Sequence, residues 1–423
     1  MVSAGNQRRR ALIIVQNLPV PFDRRVWLEA TSLSRAGYAV SVICPKFKGY
    51  EHPYECLEDI DIFRYALPVR AEGPFGFAAE FAWCFIRTAM RSVTVAACGR
   101  GFDIIQACNP PETYWLLGRF WRPFGKRFIF DHHDLSPEMY AAKFGRSDGM
   151  MHRGLRLLER LTFKAADVVI TTNESHKEIA IQRGGVPPQR IFVVRSGPDL
   201  SRFDRYPSDV RYRKGKAHLL VYLGEICKQD GVDHLVRALK VLTQDHERSD
   251  VHCIFVGGGP HQPMIKAYAG RLGLEAVTTF TGRVSDEELC RILSSADIGI
   301  DPDPKTEWSD KSTMNKVMEY MFFGLPIVAY DLRETRFSAQ DAAVYAEANS
   351  ETALAQAIAG LLDDPGRRRN IGALGERRLR ETLAWQYSVP PLLAAYEAAF
   401  AMVKAPNKRA ARSQLGTRTS RGH

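Results

Sequence analysis

The sequence predicts an α/β protein made of two consecutive parallel-sheet units that face each other across a cleft. Three observations carry this expectation. Short β-branched runs alternate with helical segments, as parallel strands and their crossover helices do. The rhythm breaks over the polar, basic stretch "SRFDRYPSDVRYRKGKA", residues 201–217, and then restarts. The chain's 423 residues also exceed what one hydrophobic core usually serves.

The first unit covers residues 1–200. "ALIIVQN" (11–17) reads as a buried first strand, "RRVWLEATSLSRAG" (24–37) as a helix ended by Gly37, and "YAVSVICP" (38–45) as the next strand. "FDIIQACN" (102–109), "RFIFDHH" (127–133), "ADVVITTN" (166–173) and "RIFVVRSGPD" (190–199) repeat the pattern. Residues 74–98 form an unusually apolar helix carrying Arg87 and Arg91. Such a helix either packs on the first sheet or lies as an interfacial patch against a bilayer, with Phe81 and Phe85 as inserting residues. Residues 201–217 are the linker. The second unit, 218–385, runs through "HLLVYLGE", a helix over 231–243, "VHCIFVGGG", a helix over 262–272, "VTTFTGR", "EELCRILSSA", "DIGIDPD", a helix up to Gly324, "LPIVAY" and "DAAVYAE". Helical residues 386–403 follow, and the basic tail 404–423 lacks apolar periodicity and is expected to be disordered.

Net charge is +10, of which roughly +8 lies before residue 208 and about +6 in the tail from Lys404. A basic first unit points to an anionic partner, either nucleic acid or a membrane face. Eight cysteines without a CxxC pair read as reduced, mostly buried small apolar residues. The start "MVSAGNQRRRALIIVQN" reads as a first strand rather than a signal peptide, and no run of 18 apolar residues marks a membrane span.

Ligands of open α/β sheets bind beyond the carboxyl ends of the strands. Gly224, Lys228, the triple glycine around Gly258, and Gly282-Arg283-Val284 all follow strands of the second unit. In "SDKSTMNKVMEYMFFG" we expect an N-cap at Ser312, free N–H groups at Thr313 and Met314 for a phosphate, and added charge from Lys311 and Lys316. Asn315 and Glu319 share a face with Ser312. A carboxylate is costly if buried and idle, and Glu319 is suited to accept hydrogen bonds from a ribose diol. Asp131-His132-His133-Asp134 offers metal-ligand types but is not favoured, since contiguous residues at a strand end point to opposite sides; Asp301-Pro302-Asp303 reads as a DxD metal–diphosphate motif but is not favoured either, since the fold that uses it has one such nucleotide domain near the N-terminus, not two tandem units.

The motifs "FDHHDLSPE", "ADVVITTNES", "VVRSGPD", "GEICKQDGVDHLVRAL", "VGGGP", "FTGRVSDEEL", "DKSTMNKVMEYMFFGLPIV" and "LAWQYS" resemble those of family 4 glycosyltransferases of the GT-B fold, nearest to the bacterial branch of capsule, exopolysaccharide and O-antigen assembly. The resemblance extends to about residue 400. It implies two tandem Rossmann-like domains facing a cleft, with the helix 386–403 crossing back to the first. Glu319 matches the family's ribose-holding glutamate, and His133 its histidine where donor sugar and acceptor meet. The family's sugar-contacting glutamate falls on Lys311, so adjacent Asp310 is expected to take its role. The family's diphosphate Arg and Lys fall on Glu225 and Asp230, which leaves Lys228, Lys311 or Lys316 as substitutes. Backbone at Arg283 and Val284 is expected to hold the base. The implied activity is retaining, metal-independent transfer of a hexosyl or N-acetylhexosaminyl group from a nucleotide-diphosphate sugar to a glycan acceptor, polyprenyl-linked or otherwise. No cofactor is expected, and neither is a nucleic-acid partner. The expected location is cytoplasmic, peripheral to the anionic inner-membrane face. A nucleotide-sugar epimerase on the same fold, or a non-catalytic nucleotide-sugar or nucleic-acid binding module, is the alternative.

Overall fold

The computed structural model describes residues 8–68, 73–145 and 147–404, so the expected disordered tail falls, beyond Lys404, outside the described residues. The first sheet contains β1 (Arg10–Ile14), β2 (Ala39–Pro45), β3 (Tyr54–Leu57), β4 (Ile60–Tyr65), β5 (Ile104–Cys108), β6 (Arg127–His132), β7 (Val168–Thr171) and β8 (Ile191–Val193). Their order is β3-β4-β2-β1-β5-β6-β7-β8, with only the β3–β4 pair antiparallel. The second sheet contains β9 (His218–Leu223), β10 (Val251–Val256), β11 (Thr278–Gly282), β12 (Ile298–Asp301), β13 (Ile327–Tyr330) and β14 (Ala343–Ala346), ordered β11-β10-β9-β12-β13-β14 and parallel throughout.

The central strands are buried on both faces, which is why they read as continuous apolar runs. The β3–β4 hairpin is absent from the sequence reading for the converse reason. Strand β3 is a half-exposed edge with polar alternation, turned by Glu58 and Asp59 at positive φ rather than by a glycine. Each sheet has a switch point where crossovers leave in opposite directions, between β1 and β5 in the first and between β9 and β12 in the second. Such points open a crevice beyond the strand ends.

The last helix, Val389–Lys404, packs on β6, β7, β8 and the helix Arg24–Arg35. Leu392, Ala395, Tyr396, Ala399 and Phe400 lie in the same apolar cluster as β1 and β2, so the end of the chain completes the first unit's core. The helix Gly73–Ala97 splits the two readings made for it. Cys84, Thr88, Ser92 and Val95 are buried against the first sheet, while Trp83, Ile86, Met90 and Val93 are exposed. Phe85 packs inward, its ring 6.1 Å from that of Tyr114, so it is not an inserting residue. Among the described residues no helix is long and apolar enough to cross a membrane.

The triple glycine is explained by two strand-end loops that cross. Gly257 has φ +125°, and a Cβ there would lie 1.8 Å from the Gly224 carbonyl oxygen; one on Gly259 would lie 2.5 Å from that of Ile226. A Cβ on Gly258 would meet nothing nearer than 3.6 Å. Gly257→Ala is therefore expected to lower stability by about 2 kcal/mol or more. Gly258→Ala is expected to cost less than about 1 kcal/mol. Urea unfolding of the two variants side by side checks the difference.

Candidate active site in the interdomain cleft

The helix Asn315–Phe322 is fixed at the second switch point by its inner face. Val317, Met318, Tyr320 and Met321 are buried, and the Tyr320 hydroxyl donates to the Ile300 carbonyl (3.1 Å) and accepts from the Leu223 N–H (2.8 Å). It thereby ties the ends of β12 and β9 together. Gly299 is required beneath it, since a Cβ there would sit 2.5 Å from the Tyr320 ring. Asn315 and Glu319 are left on the cleft side, as their spacing predicts.

The helix entry differs from expectation. Ser312 is not the N-cap: its hydroxyl donates back to the Trp308 carbonyl (2.7 Å), closing the turn Ser309–Lys311, and the helix begins at Asn315 after an uncapped Met314. The Thr313 side chain bridges to the first unit. Its hydroxyl accepts from the Asn173 side-chain amide (3.1 Å), which also donates to the Lys311 carbonyl (2.8 Å), so 311–313 bridge to the first unit. Met314 is buried.

The charged residues around this entry are likewise engaged. Asp310 accepts from the Arg333 N–H (2.9 Å) at the start of the helix Arg333–Ala339 and pairs with Lys305. The Lys311 ammonium pairs with Glu307. Lys316 is the largest departure: only 10 % exposed, it lies between Asp301 (3.2 Å) and Asp303, with its ammonium 5.2 Å from the Tyr222 ring. Burial opposes charge on Lys316, but the two aspartates outweigh it and hold its pKa well above the ordinary value. Burial raises Asp303. The DxD motif is thus part of a buried ion cluster with Lys316. Lys228 is exposed, beside the cleft loop that Gly224 opens.

The cleft's positive charge comes from Arg283, which the sequence reading named for its backbone, and from Arg24, Arg25 and Arg202, which it missed. A cavity of about 560 Å³ between the units is lined by Arg24, Arg25, Arg202, Arg283, Asn315 and Glu319, among others. Asp23 caps the first helix by accepting from the Val26 N–H (3.1 Å), which sets Arg24 and Arg25 in the first turn at the mouth of β1. Arg24 lies 3.5 Å from Glu319 and 3.2 Å from Asp286; Arg202 lies 4.0 Å from Glu319. Burial raises the Glu319 pKa, and these two arginines oppose the rise. The Arg283 guanidinium stands 4.0 Å over the Phe22 ring, while the Val284 side chain packs into the core and leaves its backbone to the site. The available signal was Arg24-Arg25 directly after Asp23, an N-cap type at the start of the first helix.

On the opposite wall, alternate residues of the Asp131–Asp134 run diverge. His132 is buried toward Glu159 (3.4 Å), whereas Asp131 and His133 meet, Oδ2 to Nε2 at 2.8 Å. Glu29, Cys108, Asp131 and His133 bring ligand-type atoms within 4.8 Å of one another. The Arg25 guanidinium enters that group, 3.1 Å from Glu29, 3.3 Å from Asp131 and 2.9 Å from His133, so a fixed cation already answers its charge. Burial works against charging His133, but Asp131 more than offsets it and its pKa lies above the ordinary value. The His133 ring is 15 % exposed.

Residues 23–202 match the family model described as Glycosyltransferase Family 4, and residues 217–364 match that described as Glycosyl transferases group 1. The chain carries two glycosyltransferase domains. It is 24% identical over 400 residues to D-inositol 3-phosphate glycosyltransferase of Kineococcus radiotolerans, covering 88% of each chain. Sucrose-phosphate synthase from Thermosynechococcus elongatus superposes with a TM-score of 0.75 at 18% identity, covering 93% of this chain and 100% of that one. Anabaena HepE in complex with UDP-glucose gives 0.67 at 16% identity, covering 92% and 99%. These likenesses show the GT-B fold, and the models support glycosyltransferase function for the cleft.

Lys316 offers a direct test of how this glycosyltransferase builds its cleft. Lys316→Met leaves two buried carboxylates without their cation, at an expected cost of ~3–5 kcal/mol at neutral pH. Without the ammonium both carboxylates titrate above their unfolded value. The deficit should therefore widen as pH rises and shrink as pH falls and protonates them. Denaturant unfolding of wild type and variant from pH 5 to pH 8 measures this, and a deficit independent of pH refutes the internal role.

Proposed function

We propose that the protein is a retaining, metal-independent glycosyltransferase that moves a hexosyl or N-acetylhexosaminyl group from a nucleoside-diphosphate sugar to a lipid-linked glycan acceptor in cell-surface polysaccharide synthesis. The observation that carries the reading is Glu319, held on the cleft side of a pinned helix, at a switch point, among arginines from both units. In this reading Glu319 accepts the ribose hydroxyls. Asn315 lies one turn nearer the phosphates. Backbone at Arg283 and Val284 faces the base, and the Gly258 position leaves room for close approach. HepE, whose complex holds UDP-glucose, supports a nucleotide sugar as the donor class.

Arg24, Arg202 and Arg283 replace the diphosphate clamp lost to Glu225 and Asp230. In the unliganded cleft Arg24 and Arg202 pair with Glu319 and Asp286, and a ribose diphosphate exchanges those pairs for bonds to its own oxygens. The anomeric C–O bond to the diphosphate breaks as the acceptor hydroxyl forms the new bond on the same face. The hydroxyl proton passes to the departing phosphate oxygen, and the arginines stabilise the charge that develops there. His133, on the first unit's wall, borders the space where sugar and acceptor meet.

For the acceptor side, the exposed apolar face Trp83, Ile86, Met90 and Val93 carries Arg87, whose guanidinium lies 5.5 Å from the Trp83 ring. Leu116, Phe120 and Phe124 are exposed on the adjacent helix and turn. An apolar face with basic residues suits an anionic lipid surface.

Glu319→Gln is expected to weaken nucleoside-diphosphate affinity by ~1.5–3 kcal/mol, the range for hydrogen bonds to a charged group. Calorimetric titration against UDP and GDP reads this directly, and an unchanged Kd would leave Glu319 as an interdomain ion-pair residue only. Replacing Ile86 and Met90 with Ser should reduce cosedimentation with anionic vesicles at low salt. Wild-type binding should fall as salt shortens the Debye length. Wild-type indifference to such vesicles at low salt removes the membrane face from the proposal.

A further inference from the structure

We infer that Tyr396, on the C-terminal helix, is a positioning residue for His133, acting through Gln106 and Asp131. The chain of contacts is continuous and dry. The Tyr396 hydroxyl donates to Gln106 Oε1 (2.6 Å). Gln106 Nε2 donates to Asp131 Oδ2 (2.7 Å) and to Glu29 Oε2 (2.6 Å), and Asp131 Oδ2 meets His133 Nε2 at 2.8 Å. Tyr396, Gln106, Asp131 and Glu29 are each fully buried. Residues 290 positions apart in sequence thus share one hydrogen-bond line.

The orientation of Gln106 is what the tyrosine decides. An amide has one accepting and one donating end. Turned one way, its N–H groups serve two buried carboxylates; turned the other, its oxygen faces them and both lose a donor. The Tyr396 hydroxyl, donating to the oxygen, selects the first arrangement. Gln106 then steadies Asp131, which His133 and Arg25 hold in the ionised form against the effect of burial. Glu29, by contrast, is pushed up to about 8 by burial and by the Asp131 charge. His133 Nε2 has two partners that suit opposite protonation states: protonated it donates to Asp131, and deprotonated it accepts from Arg25 Nε at 2.9 Å. The balance between those states depends on how well Asp131 is satisfied from behind. Other titratable groups near His133 are Asp23 and Glu29 on the first helix, Cys108 on β5 and Asp134 after β6.

A consequence is that the crossover helix does more than complete the first unit's core. It delivers a donor to the back of the cleft wall, which ties the docking of the chain's last helix to the state of His133.

This inference rests on the proposed role of His133 only for its effect on turnover, and the experiment separates the two. The His133 ring is titrated by NMR in wild type and in Tyr396→Phe, with transfer kinetics and nucleoside-diphosphate affinity measured in parallel. Without the tyrosine donor Gln106 is free to turn, and Asp131, less satisfied, draws the imidazole proton more strongly. The expected result is a His133 titration moved to higher pH and kcat lowered about ten-fold. UDP or GDP affinity should be unchanged, and the kcat effect should vanish in a His133→Ala background. An unmoved titration overturns the inference whatever happens to kcat, and so does an equal kcat loss with and without His133. If the titration moves but His133→Ala turns over like wild type, the positioning stands and the catalytic-side role of His133 falls. Should Tyr396→Phe not fold, 3-fluorotyrosine at position 396 keeps the shape and donates more strongly. It must then move the His133 titration to lower pH, and no movement overturns the inference.

Discussion

The buried ammonium of Lys316, between the carboxyl groups of Asp301 and Asp303, is the contact on which the second unit's side of the cleft depends. Removing the lysine leaves two carboxyl groups facing each other in a dry environment without a cation, so the aspartate pair depends on it. The cluster joins the end of β12 to the first turn of the helix Asn315–Phe322, while Tyr320 joins the same helix to the end of β9. With both ends of the switch point tied to one short helix, its rotation is fixed, and Glu319 has one direction left to face. A site built this way owes its geometry to internal ion pairing rather than to a ligand.

The first unit's wall follows the same plan, one cation among carboxyl groups. Arg25 is the single guanidinium among Glu29, Asp131 and His133, and it also donates to the Val194 carbonyl (2.8 Å) and the Ser196 hydroxyl (2.9 Å). Arg24, one residue earlier and on the other side of the helix start, reaches across to Glu319 and Asp286. One Asp-capped helix N-terminus therefore supplies both the internal cation of one wall and a charge that spans to the other. Further bridges, Ser175 to Glu334 (2.6 Å) and Arg195 to Glu334 (2.9 Å), hold the units together on a different edge. Ser175 and Glu334 are buried, so this edge is a sheltered polar contact between the units.

The alternation of apolar runs made the two parallel sheets legible, because strands buried on both faces cannot hide their composition. Gly324 and Glu319 were legible too, the first as a helix stop at positive φ and the second as a carboxylate out of place among apolar residues. Ser312 was misread because a serine before a helix is a common cap, and nothing local shows that its hydroxyl is spent on the turn behind it. The partners of Lys316 and Asp310 were hidden for a related reason: a charged side chain near a cleft looks available until its partner is seen, and Asp303 and the Arg333 N–H are set by the fold.

The sequence by itself determined the two α/β units, the strand-end loops and the carboxylate that faces the cleft. Each of these is written in local periodicity, turn chemistry or the cost of burying an isolated charge. Only the tertiary structure decided which lysines are internal, which arginines line the cleft, and that Tyr396 lies behind His133. Those outcomes depend on pairings between residues far apart in the chain, and an ionic or hydrogen-bonding side chain carries no sequence mark of which distant partner it meets.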